Sequence, residues 1–129
     1  QALSIRQQAY APYSQYRVGA ALLTSSGKVY LGVNVENAAY PNCMCAERVA
    51  VFKAVSEGEM QFTAIAVATV NGGSPCGACR QVLAEFGLDT EVLIVNESGQ
   101  VVLESTVREL LPGAFGPSDL HSFTKPAQE

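Results

Sequence analysis

The chain has 129 residues, and the 48% that are hydrophobic supply enough apolar material for one domain with a real core. Its formal charge is 8 basic minus 12 acidic residues, or -4, and its pI is about 4.9. This acidic balance leaves no electrostatic footprint for a phosphate backbone and disfavours a polynucleotide substrate.

The chain also lacks the sequence features of a membrane or secreted protein. No apolar run reaches the roughly 20 residues of a membrane span, and no basic stretch leads into an apolar one near the first residue. All four cysteines lie in two short clusters, whereas a secreted disulfide scaffold usually scatters them. We therefore expect a cytoplasmic protein with no membrane partner, folded as a single domain over residues 1–129.

The first half of the chain predicts a helix, a β-hairpin and a second helix. Residues 2–11 carry an imperfect apolar face and end at a proline, as is typical of a helix end. β-branched residues are frequent in 18–24 and 28–35, and the short Ser-Ser-Gly turn between them makes the pair antiparallel. Apolar residues recur at helical spacing over 44–56, and Gly58 follows them.

The second half predicts a strand, a helix, another hairpin and a last short helix. Residues 63–70 are apolar at nearly every position, which indicates a central strand buried on both faces. A helix follows over 75–86, with proline at its first position and glycine after its end. Strands at 91–96 and 101–104 flank a turn, and 106–111 forms the last helix.

The order of these elements predicts an α/β fold. Helical crossovers make the middle of the sheet parallel, and short turns make its edges antiparallel. We therefore expect a mixed sheet of about five strands with helices on both faces, which is a three-layer α/β/α arrangement.

Cys45, Cys76 and Cys79 have the spacing of a zinc site. The first two are separated by 76 minus 45, or 31 residues, which lets one helix and one strand pass before the chain returns to the same point. Both cysteine clusters then lie at helix N-termini, where the helix dipole stabilises thiolates. Three thiolates leave one tetrahedral position open, as is typical of a hydrolytic zinc site.

Glu47 helps to distinguish an open, hydrolytic zinc site from a closed, structural one. With Cys43 as a fourth ligand, the cysteines would form a closed structural site, and their spacing alone leaves the two interpretations about even. A structural site needs no carboxylate, whereas a hydrolytic zinc site needs a group that carries protons. The glutamate favours the open site, although an ordinary acid in the first turn of a helix is the plain alternative.

Two arginines are placed to offset the negative charge of the ligands. Zinc and three thiolates together carry one net negative charge, which opposes ionisation of a bound water. Arg48 and Arg80 each follow a cysteine cluster closely, and we expect both to donate hydrogen bonds to ligand sulfur.

Five segments resemble, in the same order, those of the small cytidine deaminases. The zinc-deaminase signature, a glutamate two residues after the first ligand and a later Pro-Cys-x-x-Cys, is present. The matching segments are 10–14, 18–22, 34–40, 45–48 and 75–81. Because they cover nearly the whole chain, the resemblance implies the fold of that family, one Zn²⁺ per subunit and a small-molecule nucleoside substrate.

The resemblance also implies a role for each residue of the cluster. Cys45, Cys76 and Cys79 bind zinc, and Cys43 is a thiol with no metal role. Glu47 protonates the pyrimidine ring nitrogen and carries the next proton to the departing ammonia. The implied reaction converts free cytidine and 2′-deoxycytidine to uridine and 2′-deoxyuridine, in pyrimidine salvage.

Substrate-binding residues follow from the same resemblance. Asn34 and Glu36 match the positions that hold the ribose hydroxyls, for which an amide and a carboxylate are suited. Tyr16 lies where the family places an aromatic ring, often phenylalanine, against the base, and a core aromatic is the alternative. The backbone amide of Ala46 is expected to donate to the pyrimidine carbonyl oxygen.

Residues 110–115 resemble the family segment whose phenylalanine closes the base pocket of a neighbouring subunit. Small deaminases of this type are homotetramers with shared active sites, so Ala38, Tyr40 and Phe115 are expected to act on a neighbouring subunit. The single histidine, His121, lies in a polar tail and is not expected to be a ligand.

Three other functions share part of this pattern. A sister deaminase would act on another cytosine nucleoside, a zinc-stabilised module would bind a partner without catalysis, and a polynucleotide editor would use the same zinc chemistry. The acidic charge and the ribose-binding pair weigh against the editor, because a 3′-linked strand offers no free hydroxyl there.

Overall fold

Five β-strands and four α-helices form within residues 1–120, which are the residues that the computed structural model describes. The strands are β1 (Gly19–Thr24), β2 (Val29–Val33), β3 (Phe62–Ala68), β4 (Glu91–Val95) and β5 (Val101–Thr106). The helices are α1 (Ala2–Ile5), α2 (Ala46–Ser56), α3 (Gly77–Phe86) and α4 (Val107–Leu110). Single 3₁₀ turns lie at Arg6–Gln8, Tyr40–Asn42 and Pro117–Leu120. None of the helices in this part of the chain has the length and apolar character that crossing a membrane requires.

The strands form one mixed sheet in the order β2-β1-β3-β4-β5. β3 and β4 are parallel because α3 carries the chain back between them, and the other three pairs are antiparallel. The expected mixed sheet of five strands is confirmed. Its parallel pair places the loop after β3, which leads to α3, at the same edge of the sheet as the end of β4.

Two glycines show that helices pack on both faces of the sheet. A Cβ at Gly32 would collide with the backbone of α2 at Ala46, so this helix lies directly on the sheet there. A Cβ at Gly19 would collide with the Ala2 carbonyl of α1. Gly19 pairs with Val33, and adjacent residues of a strand point to opposite faces, so α1 and α2 lie on opposite sides. The three-layer α/β/α class is confirmed.

The core lies between the sheet and the two longer helices. Its largest buried side chains come from the central strands and from α2 and α3: Leu22, Ile65, Val67, Val92, Ile94, Val51 and Leu83. The opposite face is covered less, because α1 has only four residues, and Leu23 is 36% exposed there. β3 is therefore buried more completely on one face than on the other, which differs from the expected burial on both.

The first helix is shorter than its sequence predicts. α1 ends at Ile5 and one 3₁₀ turn follows it. The Tyr10 N–H donates to the Asn34 carbonyl, and the Glu36 N–H donates to the Tyr10 carbonyl, which makes a β-bridge with Val35. Pairing with a distant segment thus overrides the local helical preference of this stretch.

Candidate metal centre and active site

Three cysteine sulfurs meet at the N-terminal ends of α2 and α3. Cys45 is the N-cap of α2, Cys76 is the N-cap of α3, and Cys79 lies in the first turn of α3. The Cys45 and Cys76 sulfurs are 3.9 Å apart, and the Cys76 and Cys79 sulfurs are 3.4 Å apart. Pro75 precedes the N-cap rather than occupying the first helical position, which corrects the predicted start of this helix.

The three cysteine side chains are joined by hydrogen bonds between their sulfur atoms. A hydrogen bond from Cys79 and the neighbouring Arg48 guanidinium lower the pKa of Cys45 to about 5. The pKa of Cys79 is raised in turn, because its proton is held by the Cys45 sulfur and because its side chain is buried. A soft divalent cation that replaces these protons would bind three thiolates at the positive ends of two helices.

The spacing of the sulfurs fits zinc. Two sulfurs bound to one tetrahedral zinc lie about 3.8 Å apart, because each Zn–S bond is near 2.3 Å. The separations of 3.9 and 3.4 Å bracket this value, and the three sulfurs lie within 4.8 Å of one another. Cys45, Cys76 and Cys79 can therefore hold zinc with little rearrangement.

Arg48 supports the same assignment. Its Nη2 donates to the Cys45 sulfur over 3.3 Å, the contact that the sequence predicts. Its Nε is buried and has no hydrogen-bond partner among residues 1–120, and no carboxylate in this part of the chain pairs with it. Hydrogen bonding to the Cys45 sulfur raises the pKa of the guanidinium further. Arg48 is half-buried and makes no ion pair among residues 1–120, and thiolate ligands supply negative charge beside it.

Cys43 lies outside the three-sulfur group. Its sulfur accepts a hydrogen bond from the Asn37 N–H over 3.3 Å and donates to the Asn37 carbonyl over 3.6 Å. The thiol thus closes the loop before α2. Zinc with three cysteine ligands leaves one coordination position for water, which a closed four-cysteine site would not.

Glu47 is a buried acid at the wall of a cavity of about 590 Å³. Its side chain is only 5% exposed, and it lies in the first turn of α2. Burial raises the pKa of its carboxyl group, and the negative charge of Cys45 acts in the same direction. The cavity also reaches Cys45 and Cys76. The structure thus places a buried carboxyl group of raised pKa beside the candidate zinc ligands.

A second carboxylate lies in the same cavity and is held ionised. The Tyr13 and Ser14 N–H groups donate to Glu36 Oε1 over 2.9 and 3.1 Å, and the Ser14 hydroxyl donates to Oε2. These hydrogen bonds lower the pKa of Glu36, and the bond from the Ser14 hydroxyl has the largest effect. One cavity therefore holds a buried acid of raised pKa near the sulfurs and an acid of lowered pKa farther along its wall.

The comparisons with known proteins agree with this geometry. Residues 1–95 match the family model of the cytidine and deoxycytidylate deaminase zinc-binding region. The chain belongs to this deaminase family. The zinc that the family binds has its place here in the three-cysteine group.

Relatives of this deaminase match over most of their length. A cytidine deaminase from Sporosarcina psychrophila is 53% identical over 118 residues, which are 89% of this chain and 86% of that protein. The crystal structure of a cytidine deaminase from Burkholderia pseudomallei has a TM-score of 0.84 at 50% identity, covering 88% of this chain and 93% of that one. A cytidine deaminase from Mycobacterium tuberculosis has a TM-score of 0.78 at 38% identity, covering 89% and 91%.

Asn34 and Tyr16 reach the deaminase cavity from neighbouring segments. The Asn34 side chain accepts from the Val18 N–H over 2.9 Å and donates to the Tyr16 carbonyl over 2.8 Å. This use leaves its amide one further N–H and one further lone pair. The Tyr16 hydroxyl, which has no counterpart in a phenylalanine, donates to the Asn71 side-chain oxygen over 2.7 Å.

The remaining predicted substrate-binding residues divide into two groups. Tyr40 lines the cavity and is 66% exposed. Ala38, Ala46 and Phe115 do not line it: Ala46 is fully buried, whereas Phe115 is 56% exposed. Gln81 anchors this C-terminal segment by donating to the Phe115 carbonyl over 2.8 Å.

Arg80 does not make its predicted contact with a ligand sulfur. Its guanidinium donates to the Pro75 carbonyl over 2.8 Å, to the Leu110 carbonyl over 2.6 Å and to the Ser74 hydroxyl over 2.9 Å. These three oxygen acceptors hold the Arg80 guanidinium group away from the sulfurs. Arg80 braces the loop before Cys76 instead of offsetting thiolate charge.

Three site residues are missed by the sequence patterns alone. Ser14 donates to Glu36, and Thr69 and Asn71 organise the loop after β3. The only available signals were that Ser14 falls inside a segment that resembles the family, and that Tyr16 carries an unexplained hydroxyl. The prediction for His121 concerns a residue outside the described part of the chain.

Proposed function

We propose that the protein deaminates free cytidine and 2′-deoxycytidine to uridine and 2′-deoxyuridine, with release of ammonia. The observation that carries this proposal is a buried Glu47 beside three convergent cysteine sulfurs, in a cavity that Glu36 also lines. The buried Glu47 suits proton transfer at a base, and Glu36 suits hydrogen bonds from sugar hydroxyls. The similar proteins named cytidine deaminase support the same substrate.

The residues that would hold zinc are Cys45, Cys76 and Cys79, with one ion in each chain. When bound, zinc supplies the Lewis acidity that makes water a nucleophile near neutral pH. Arg48 stabilises the ligand set through its contact with the Cys45 sulfur.

Glu47 moves the protons of the reaction. Its carboxyl group, whose pKa burial raises, gives a proton to the ring nitrogen next to the amino-bearing carbon. The resulting carboxylate accepts a proton from the attacking water as the new carbon–oxygen bond forms. It then delivers this proton to the amino group, which leaves as ammonia when the carbon–nitrogen bond breaks. As the carbonyl group of the product forms, the carboxylate takes up the remaining hydroxyl proton, which restores the starting acid.

The nucleoside would be held along the opposite part of the cavity. Glu36 accepts hydrogen bonds from the ribose hydroxyls, and the spare N–H of Asn34 donates to one of them. The ring of Tyr16 forms the wall against the base. Ala46 itself is buried, but its N–H lies between Cys45 and Glu47, which both line the cavity, and we assign this amide to the pyrimidine carbonyl oxygen.

We further propose a homotetramer with shared active sites, working in the cytoplasm in pyrimidine salvage, with one domain per chain over residues 1–129. Exposure of Phe115 and Tyr40 supports the assembly, because aromatic side chains that are more than half exposed gain most from burial against another subunit. Ala38 and Phe115 lie outside the cavity of their own chain, as residues that serve a neighbouring site would.

Turnover of cytidine tests the proposed function directly. The zinc-loaded protein should consume cytidine and 2′-deoxycytidine, with loss of the ultraviolet absorbance of the cytosine ring and release of one ammonia per nucleoside. Free cytosine and an internal cytosine of an oligonucleotide should react far more slowly, because neither offers a free 3′-hydroxyl to Glu36. Stoichiometric zinc with no change in cytidine would contradict the proposed substrate, and preferred reaction of another cytosine nucleoside would replace it.

Replacing Ser14 by alanine is expected to raise KM for cytidine by about three- to tenfold, and more strongly at acid pH. The Ser14 hydroxyl is the largest contributor to the lowered pKa of Glu36. Without it, Glu36 takes up its proton at a higher pH as the solution is acidified, and it then no longer accepts from the sugar. KM measured from about pH 4 to pH 8 should show the acid limb moved upward.

The matched control is Ser98→Ala, because this exposed serine lies in the turn between β4 and β5. It should keep the unsubstituted KM at every pH. The interpretation of Glu36 is wrong if the two serine variants have the same KM–pH profile.

A further inference from the structure

The hydroxyl group of Tyr16 connects one wall of the cavity to the loop that carries a candidate metal ligand. It donates to Asn71 Oδ1 over 2.7 Å, across 55 residues of sequence. The Thr69 hydroxyl also donates to Asn71 Oδ1, over 3.4 Å. A phenylalanine at position 16 would fill the same wall but would leave Asn71 without this bond.

The loop from 69 to 75 is organised around one buried hydroxyl. Thr69 is only 2% exposed, and its Oγ1 accepts the N–H groups of Gly72 and Gly73 over 2.8 and 2.9 Å. The chain then continues through Ser74 to Cys76, the N-cap of α3. Thr69, Gly73 and Ser74 all line the cavity, so the way this loop is held shapes the cavity wall.

Gly73 and the Tyr16 hydroxyl are sterically matched. A Cβ at Gly73 would lie 2.6 Å from the Tyr16 hydroxyl oxygen, which is closer than real side chains approach. The next nearest atoms, Asn71 Oδ1 and Tyr16 Cζ, would be at 3.7 and 3.8 Å, which is ordinary contact. Without the hydroxyl oxygen, an alanine would fit at position 73.

The backbone of Tyr16 is tied to the other carboxylate of the cavity. Its N–H donates to the Ser14 hydroxyl oxygen over 3.0 Å, and the same hydroxyl donates to Glu36. Its carbonyl accepts from the Asn34 side chain over 2.8 Å. Tyr16 thus joins the Glu36 side of the cavity, through its backbone, to the Cys76 side, through its hydroxyl.

We propose that the Tyr16 hydroxyl is a positioning group, which through Asn71 and Gly73 holds loop 69–75 against the aromatic wall and sets the width of the pocket for a pyrimidine nucleoside. The proposal rests on the proposed function for its substrate. It predicts that the hydroxyl acts on nucleoside binding, because it contacts the loop and not the reacting groups.

Tyr16→Phe is expected to raise KM for cytidine by about three- to tenfold while kcat changes by less than about twofold and zinc content stays the same. Asn71→Ala should have the same effect, and the double variant should be no worse than either single one, because both remove one hydrogen bond. Tyr10→Phe is the control, since the Tyr10 hydroxyl makes no hydrogen bond among residues 1–120 and lies outside the cavity.

Gly73→Ala gives the sharper test. In the presence of Tyr16 the added methyl group should displace the loop and raise KM by about tenfold or more. In the double variant Tyr16→Phe/Gly73→Ala the obstacle is gone, so KM should return to that of Tyr16→Phe alone. Gly116→Ala is the glycine control, because a Cβ there meets no atom within 4 Å.

Rescue of KM by the second substitution supports the proposal, and additive defects overturn it. A parallel fall of kcat and zinc content in Tyr16→Phe would also overturn it, because the hydroxyl would then act on the metal site. If the unsubstituted protein leaves cytidine unchanged, the proposed function fails instead. The thermal unfolding midpoints of the same variants then decide the steric match, which requires the double variant to be more stable than Gly73→Ala.

Discussion

Glu47→Gln should reduce kcat for cytidine by roughly 10²–10⁴-fold while zinc binding and folding are retained. Glutamine has the shape of glutamic acid but neither donates a carboxyl proton nor accepts one, so both proton transfers are lost. The burial that raises the pKa of Glu47 shows that this position favours a neutral side chain, and the amide should therefore not destabilise the fold. Turnover, zinc content and the unfolding midpoint are measured on the same preparation.

Glu97→Gln is the matched control, because this glutamate is exposed in the turn between β4 and β5. It should leave turnover and zinc content unchanged. A zinc-stabilised binding module without catalysis would lose nothing measurable in either variant. Loss of zinc from Glu47→Gln would contradict our assignment in a different way, because the glutamate would then help to hold the metal.

Cys45→Ser should abolish stoichiometric zinc binding and turnover, whereas Cys43→Ser should retain both. Removing the Cys45 thiolate leaves two sulfurs and an Arg48 guanidinium that has lost its hydrogen-bond acceptor. A ligand that binds only the folded state stabilises it, by about 4 kcal/mol at a concentration 1,000 times Kd. The Cys45→Ser variant should therefore unfold at a lower temperature, and added zinc should not restore it.

Cys43→Ser is a demanding control, since it removes a thiol only two residues away. The Asn37 N–H can donate to the serine hydroxyl as it does to the Cys43 sulfur, so the loop should keep its shape. Chelation of zinc from the unsubstituted protein should lower its unfolding temperature to that of Cys45→Ser. Loss of zinc from Cys43→Ser together with its retention in Cys45→Ser would overturn the ligand set.

Most of the fold was predictable because its elements are locally consistent. The hairpin of β1 and β2 follows from β-branched residues around a short turn, and α2 and α3 follow from apolar spacing ended by glycine. The exception is the first helix, where residues 2–11 have helical character throughout. Tyr10 lies outside the helix because its backbone pairs with Val35. A local sequence pattern cannot predict a partner that is 25 residues away.

The two arginines show the limit of proximity as a guide. Each follows a cysteine cluster by one to three residues, yet only Arg48 reaches a sulfur. Arg80 has three oxygen acceptors nearby. One of them is the carbonyl of Leu110, which lies in α4, thirty residues later in the chain. Sequence distance limits where a long side chain can reach, whereas the surrounding acceptors determine where it points.

Residue type and spacing were enough to establish the metal chemistry, because ligand softness, coordination number and the ability to carry a proton are properties of the side chains themselves. The shape and charge of the cavity needed folded coordinates. The lowered pKa of Glu36 depends on Ser14, and the matched contact of Tyr16 with Asn71 and Gly73 spans more than fifty residues. Such contacts form only where the chain returns to the same point in space, so hydrogen-bond geometry and steric fit between distant residues belong to the tertiary structure.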